Sequence, residues 1–302
     1  MKRNIWGLNL QELETWVVGN GFPRFRAKQL RDYLYKRHIF HFDEMTQFSQ
    51  KMRDWLKENG QIDKPVIISR AQSDDEKTIK LLLKLKDGSL VETVCMCHHY
   101  GNSICVSTQV GCAMGCIFCA STRKGLERNL TAGEILAQMY AFKELYDIPF
   151  HSIVLMGAGE PLTNYEEVLH FIHLANDPEL LNISYRNITI STCGIVPQIY
   201  RLADENIPIT LAISLHAPND RIRNVLVPIS KNFRIKDVVS AAEYYFKKTK
   251  RRVTFEYILI KDMNASVENA KELCCLIGKM PCHINLIPIN GTEPVSYTHL
   301  RA

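Results

Sequence analysis

The sequence predicts an α/β protein: a partial (β/α)6 barrel preceded by a small N-terminal helical domain and a short β extension. Three observations carry this prediction. From Ser103 onward, short apolar strands alternate with helical stretches six times. Between residues 65 and 97 the apolar period is two, and before that it is helical throughout.

The helical domain is expected over residues 1–62, with helices at 10–18, 24–37 and 42–57. Phe25, Leu30, Tyr33 and Leu34 recur at helical spacing in the second, and Phe48, Met52 and Trp55 mark the third. Residues 63–102 form the β extension, with strands at 66–69, 78–85 and 89–97 and a turn at Asp87-Gly88. The barrel is expected over 103–290, with strands at 104–108, 152–156, 187–191, 210–215, 253–260 and 283–287. Its helices are expected at 132–146, 165–175, 197–203, 235–246 and 266–277. Such a parallel sheet places ligand-binding residues at the carboxyl ends of its strands.

Composition narrows the class. With 46% hydrophobic and 23% charged residues over 302 positions, the chain fits neither disorder nor a collagen-like or coiled-coil design. No run approaches the roughly 18 apolar residues of a membrane-spanning helix, and the first twenty residues alternate polar with apolar. A cytoplasmic protein without a membrane partner is expected. Most of the net charge of +5 lies in residues 1–60, with 11 Lys or Arg against 7 Asp or Glu. Ten cysteines are the unusual feature, and in a reducing compartment they are thiols, metal ligands or catalysts before they are disulfides.

Three of them stand in Gly111-Cys-Ala-Met-Gly-Cys-Ile-Phe-Cys119, just after the first barrel strand. Closed zinc sites take four ligands, usually as two separated pairs. Three thiolates suit a [4Fe-4S] cluster with one open iron, which can chelate the amino and carboxylate groups of S-adenosylmethionine. A zinc knuckle completed by Cys97, His98 or His99, or plain buried thiols, are the competing readings of Cys112, Cys116 and Cys119.

Polar groups at predicted strand ends follow the same logic. Gly157, Gly159, Glu160 and Pro161 come after the second barrel strand, where glycines admit a ligand and Glu160 can accept from an ammonium. Ser191 ends the third strand, and Ser214, Leu215 and His216 end the fourth. Each taken singly could be a strand cap. Glu92 reads as a solvated edge carboxylate and Cys105 as a buried thiol. In segment 23–37, Arg24, Arg26, Lys28, Arg31, Lys36 and Arg37 interleave with Phe25, Tyr33 and Tyr35 against the single Asp32. That pattern suits either a phosphate backbone or a solvated helix face.

The triplet spacing resembles that of the radical S-adenosylmethionine superfamily, and the surrounding segments resemble the bacterial RNA adenine methyltransferases of the RlmN and Cfr type. The segments are Phe25-Arg-Ala-Lys-Gln29, Phe42-Asp-Glu-Met-Thr46, Glu92-Thr-Val94, Cys105-Val-Ser-Thr-Gln-Val-Gly-Cys112, Met156-Gly-Ala-Gly-Glu-Pro161, Ser191-Thr-Cys-Gly194, Ala212-Ile-Ser-Leu-His-Ala-Pro-Asn-Asp220 and Ile284-Asn-Leu-Ile-Pro288. They span nearly the whole chain in order.

The resemblance implies a radical SAM barrel holding a [4Fe-4S] cluster and S-adenosylmethionine. It implies cofactor contacts at Gly159, Glu160, Ser191, Ser214, Leu215, His216 and Asn290. It makes Glu92 the acceptor of a proton from the adenine carbon and Cys105 the thiol that resolves a covalent RNA adduct through a transient disulfide. The helical domain would help to hold RNA, with Arg24, Arg26, Lys28 and Arg31 as contacts. The implied reaction is methylation of adenine C2 in 23S rRNA, with tRNA as a second substrate and a flavodoxin or ferredoxin as electron donor. The C8-methylating branch shares these motifs, and a non-catalytic zinc-dependent RNA-binding module is the alternative from another class. Cys95, Cys97, Cys193, Cys274, Cys275 and Cys282 have no matching role and are expected to be packing thiols. The family mechanism also uses a methyl-carrying cysteine near the carboxyl terminus. This chain lacks it, and 291–302 does not resemble the family, so a truncated protein inactive in methyl transfer is expected.

Overall fold

The structure, a computed structural model, describes residues 2–146 and 148–288. After the short strand β1 (Arg3–Asn4), Asn9 starts helix α1 (Leu10–Gly19): its Oδ1 accepts from the Glu12 amide while the Glu12 carboxylate accepts from the Asn9 amide. Helices α2 (Phe25–Tyr35) and α3 (Gln50–Asn59) follow. The single helix expected at 42–57 is interrupted. Phe42–Glu44 is one 3-10 turn, and helix resumes only after Ser49, whose hydroxyl caps the Met52 amide. Strand β2 (Gly60–Gln61) then pairs parallel with β1.

The extension forms β3 (Val66–Gln72), β4 (Thr78–Lys84) and β5 (Leu90–His98), and the barrel begins with β6 (Gly101–Cys105). A small hairpin, β7 (Gln109–Gly111) and β8 (Leu126–Asn129), brackets the cysteine loop. The remaining elements alternate as expected, except that an additional helix, α7, was not foreseen between β11 and α8: α4 (Ala132–Tyr146), β9 (Phe150–Leu155), α5 (Tyr165–Asn176), β10 (Ile188–Thr192), α6 (Val196–Asp204), β11 (Thr210–Ser214), α7 (Asp220–Leu226), α8 (Ile235–Thr249), β12 (Val253–Leu259), α9 (Val267–Ile277) and β13 (Cys282–Pro288).

One nine-stranded sheet runs β13-β12-β11-β10-β9-β6-β5-β4-β3. From β6 to β13 its pairs are parallel, and β3 to β6 are antiparallel. The extension is therefore hydrogen-bonded into the barrel sheet, with Val94 opposite Cys105. The first barrel strand ends earlier than expected, at Cys105. Beyond it the buried Gln138 side chain takes over the backbone of Ser107, accepting from its amide and donating to its carbonyl, each at 2.8 Å. That clamp turns the chain out of the sheet toward the cysteine loop.

Alternation decides the two faces. Ile104, Ile153, Leu155, Ile190, Ile213 and Phe255 join the core formed with α4, α5, α6 and α8. A second, smaller core lies under the cysteine loop and contains Cys112, Met114, Cys193, Ile222, Leu226 and Val227. The helical unit is closed by the Gly7 amide donating to the Tyr35 hydroxyl at 2.8 Å, and it is fastened to the barrel where the Trp6 and Tyr140 rings meet edge to face at 5.1 Å. Among the described residues, no helix is long and apolar enough to cross a membrane.

Candidate functional site

The carboxyl ends of β9, β10 and β11, the middle of β12 and the loop between β7 and β8 line a cavity of about 240 Å³. Cys112, Cys116, Cys119, Gly159, Glu160, Ser191, Ser214 and His216 all line it, together with Glu256 and Cys193. Residues from three strand ends, a fourth strand and one loop thus meet on one side of the parallel sheet.

The cysteine loop takes its shape from its glycines and its seat. Gly111 has φ +75°, and a Cβ there would stand 2.0 Å from the Gly125 carbonyl oxygen, so only glycine lets the two arms of the hairpin close. The Cys112 amide donates to that same carbonyl at 3.0 Å, and the Ile117 amide donates to the Leu226 carbonyl on α7 at 3.1 Å. Burial pushes the Cys112 thiol up and the Cys116 thiol up to about 12, so the unliganded thiols keep their protons. Metal binding replaces those protons. Among the described residues, no three Cys, His, Asp or Glu side chains converge tightly enough to hold a single ion. A [4Fe-4S] cluster makes a different demand, because each thiolate binds its own iron, and three thiols along one wall fit it. Cys97, His98 and His99 belong to the end of β5 and its turn into β6 and do not line this cavity, so the four-ligand zinc knuckle is not assembled here.

Behind the thiols the polar groups are held in fixed directions. Glu160 is only 3% exposed; its Oε1 accepts from the Leu162 amide at 3.0 Å and its Oε2 from the Cys193 amide at 2.7 Å. Burial pushes this carboxyl up, and the amides that bond it pull the other way. His216 has φ +59°, its Nδ1 accepts from the Ile258 amide at 3.0 Å, and its ring meets Phe118 edge-on at 4.8 Å. Burial pushes it down to about 3, so the imidazole is neutral. Leu215 differs from its neighbours: its side chain is in the core, while its amide donates to the Glu256 carbonyl at 3.1 Å. Asn290 and the tail 291–302 lie outside the described residues.

Two cavity residues escape sequence reasoning. Glu256 is buried in the middle of β12, with its Oε2 accepting from Asn285 at 2.7 Å. An acid inside the otherwise buried run Val253-Thr-Phe-Glu-Tyr257 is the signal that could have found it. Cys193 is the packing thiol expected, buried in the small core, and it also lines the cavity because β10 has ended at Thr192. Cys274 and Cys275 depart from the packing role, since α9 leaves both exposed.

Glu92 and Cys105 are placed together, but beside the cavity. Glu92 is 57% exposed, pairs with Lys80 at 2.9 Å, and opens onto a neighbouring groove of about 810 Å³ that Val110, Arg123, Lys124 and Ala158 also line. Cys105 lies opposite Val94, two residues from Glu92 on the same face of β5. Burial pushes its thiol up to about 11, opposed by the Met156 amide, and Met156 itself lines the cavity. The Ser107 hydroxyl joins the two regions, donating to the Glu92 carbonyl at 2.7 Å and accepting from the Ala158 amide at 3.0 Å.

The basic helix requires a correction. Arg31 is only 4% exposed and pairs with Asp177 at 2.7 Å, so it fastens α2 to the barrel and is not free for RNA. The sequence cannot show this, because its partner lies 146 residues away. Arg24 is exposed and pairs with Glu14 at 2.6 Å. Arg26 donates to Gln29 and to the Gln47 carbonyl and stacks over Phe25 at 4.8 Å. Lys28 is exposed to solvent.

Comparison with known proteins agrees with this geometry. Residues 106–274 match the Radical SAM superfamily, and residues 3–62 match the ribosomal RNA large subunit methyltransferase N-terminal domain. A probable dual-specificity RNA methyltransferase RlmN of Clostridium novyi (strain NT) is 48% identical over 98% of this chain and 86% of that protein. Its counterpart in Clostridium perfringens (strain 13 / Type A) is 48% identical over 95% of this chain and 83% of that protein. The crystal structure of a radical SAM methyltransferase from Sphaerobacter thermophilus superposes with a TM-score of 0.92 at 40% identity, covering 98% of this chain and 88% of that one. The cavity residues, the two matched domains and this near-complete coverage agree: the chain belongs to the RlmN-type radical SAM RNA methyltransferases, a superfamily that works with a [4Fe-4S] cluster and S-adenosylmethionine.

Proposed function

We propose that this chain is built to act at C2 of adenine in 23S rRNA, with tRNA as a second substrate, through a methyl group carried on a cysteine. The observation that supports the reading is the joint placement of two sets of residues. Eight expected cluster and cofactor residues line one cavity, and Glu92 and Cys105 share the adjoining face of the same sheet. Cys112, Cys116 and Cys119 hold the cluster. When bound, the cluster supplies the electron that cleaves S-adenosylmethionine, drawn from a flavodoxin- or ferredoxin-type donor.

The chain's own residues then divide the work. Gly159, Glu160, Ser191, Ser214, the Leu215 backbone and the neutral His216 surround the cofactor, and Asn290 completes the set. Glu92, on a groove with room for a splayed nucleotide, accepts the adenine proton. Cys105 stays protonated until it is needed as the resolving thiol. Arg24, Arg26 and Lys28 remain as candidates to meet the RNA backbone. Cys274 and Cys275 face solvent on α9 and Cys282 opens β13 at the end of the sheet away from the cavity, so none of these three is placed to carry the methyl group.

Anaerobic reconstitution tests the reading. The protein is expected to take up iron and to cleave S-adenosylmethionine on reduction; uptake of one zinc and no iron would overturn it. Incubation with 23S rRNA under reducing conditions separates the two regiochemistries. Nucleoside mass spectrometry reads the product: 2-methyladenine supports the reading, and 8-methyladenine would favour the C8 branch instead.

A further inference from the structure

Behind the cavity wall lies a charge that the reading above leaves without a role. Arg223, on α7, has no exposed surface. Its Nε donates to the Leu215 carbonyl at 3.2 Å, and its Nη2 donates to the carbonyls of Cys193 and Ser214. The guanidinium thereby fastens the ends of β10 and β11 to α7. Its Nη1 has no hydrogen-bond partner among the described residues. A buried cation with an unpaired N–H is costly, and such a charge persists where a countercharge compensates it.

The surroundings are shaped for it. Gly194 has φ +99°, and a Cβ there would stand 3.1 Å from Nη2, so the glycine leaves space for the guanidinium. The same helix carries the cysteine loop, through the bond from the Ile117 amide to Leu226 and through the packing of Ile222 and Leu226 against Cys112 and Met114. Arg223 lies within electrostatic reach of Cys193 and Cys116, both on the cavity, and of Asp220. Asp220 is already committed, accepting from the Ile235 amide at 2.7 Å. Glu160, the buried carboxylate that faces these thiols, has both oxygens engaged by amides. Neither acid is a dedicated partner for Nη1.

We propose that Arg223 is the fixed countercharge of the cluster held by Cys112, Cys116 and Cys119, and that it eases the one-electron reduction of that cluster. The proposal rests on the cluster reading. Three thiolates and a doubly positive [4Fe-4S] core carry one net negative charge, and an electron from an external one-electron donor makes it two. A cation fixed in a region of low dielectric stabilises the second state more than the first. Arg223 is a positioning residue in this account, since it touches neither cofactor nor substrate.

The experiment compares midpoint potentials of the reconstituted wild type, Arg223→Gln and Arg223→Lys, titrated with dithionite and followed by electron paramagnetic resonance. Arg223→Gln is expected to be harder to reduce by about tenfold in the redox equilibrium constant, which is ~59 mV for one electron. Arg223→Lys, which keeps the charge, is expected near the wild type. Melting temperatures of the metal-free proteins report the tethering of β10 and β11, which both substitutions weaken whether or not the charge matters. A cluster-loaded Arg223→Gln with the wild-type potential overturns the proposal. So does a loaded Arg223→Lys whose potential falls by the full tenfold, and this second variant decides the question if Arg223→Gln does not hold iron. Failure of the wild type to take up iron would instead refute the cluster reading itself.

Discussion

The basic helix α2 and the cavity at the strand ends hold the same kinds of side chain under opposite conditions. On α2 the cations are numerous and close in sequence, yet Arg24 closes on Glu14, Arg31 on Asp177 and Arg26 on the Gln47 backbone. In the cavity the polar groups are few and far apart in sequence. There Glu160 is held by two amides, Glu256 by Asn285 and His216 by the Ile258 amide. An exposed charge pairs with whatever acid is near, so counting cations does not identify a partner. A buried polar group must be satisfied in one geometry, and that geometry reports what the site is built around.

The contrast can be broken most decisively at the thiols. Cys116→Ala is expected to abolish stable iron loading, measured as iron per protein after reconstitution, whereas Arg24→Ala leaves it unchanged. Retention of a full cluster by Cys116→Ala would show that the cavity wall is not its seat.

Acid should act next most strongly, and through the cavity. His216 titrates near 3 when folded and near the ordinary value of about 6.5 when unfolded, so the unfolded chain binds the extra proton between those values. Stability contributed by the neutral imidazole is present above about 6.5 and lost as pH falls toward 3. His216→Gln should flatten that dependence in urea melts; an unchanged slope would remove His216 from the account.

Arg31→Ala is expected to destabilise the fold by about 2 kcal/mol, less than breaking a fully buried ion pair costs, because Asp177 is partly exposed. Urea denaturation measures this. Unchanged stability with weaker RNA binding would restore Arg31 to the RNA surface and undo the comparison. The smallest effect belongs to the exposed cations. Lys28→Ala should leave stability within about 0.5 kcal/mol, and if it meets a phosphate it should reduce the salt dependence of RNA binding by about one ion.

Legibility follows the reach of each interaction. The six strand and helix repeats and the cysteine loop were readable because hydrophobic period and ligand spacing act between near neighbours. The break at Ser49 was missed because the apolar positions of 42–57 keep helical spacing across a turn that a local cap interrupts. Cys193 and Glu256 were missed because only the end of one strand and the pairing with another decide which way they face.

By itself, the sequence determined the α/β order, the three cysteines that share a loop and the glycines that let the loop close. Those features depend on residues within a few positions of one another. Only the tertiary structure decided that Arg31 is a tether, that the β extension continues the barrel sheet, that Glu256 completes the cavity and that Arg223 stands buried behind the thiols. Each of these depends on a partner brought from a distant part of the chain, and burial, by removing water as the alternative partner, is what makes the choice single-valued.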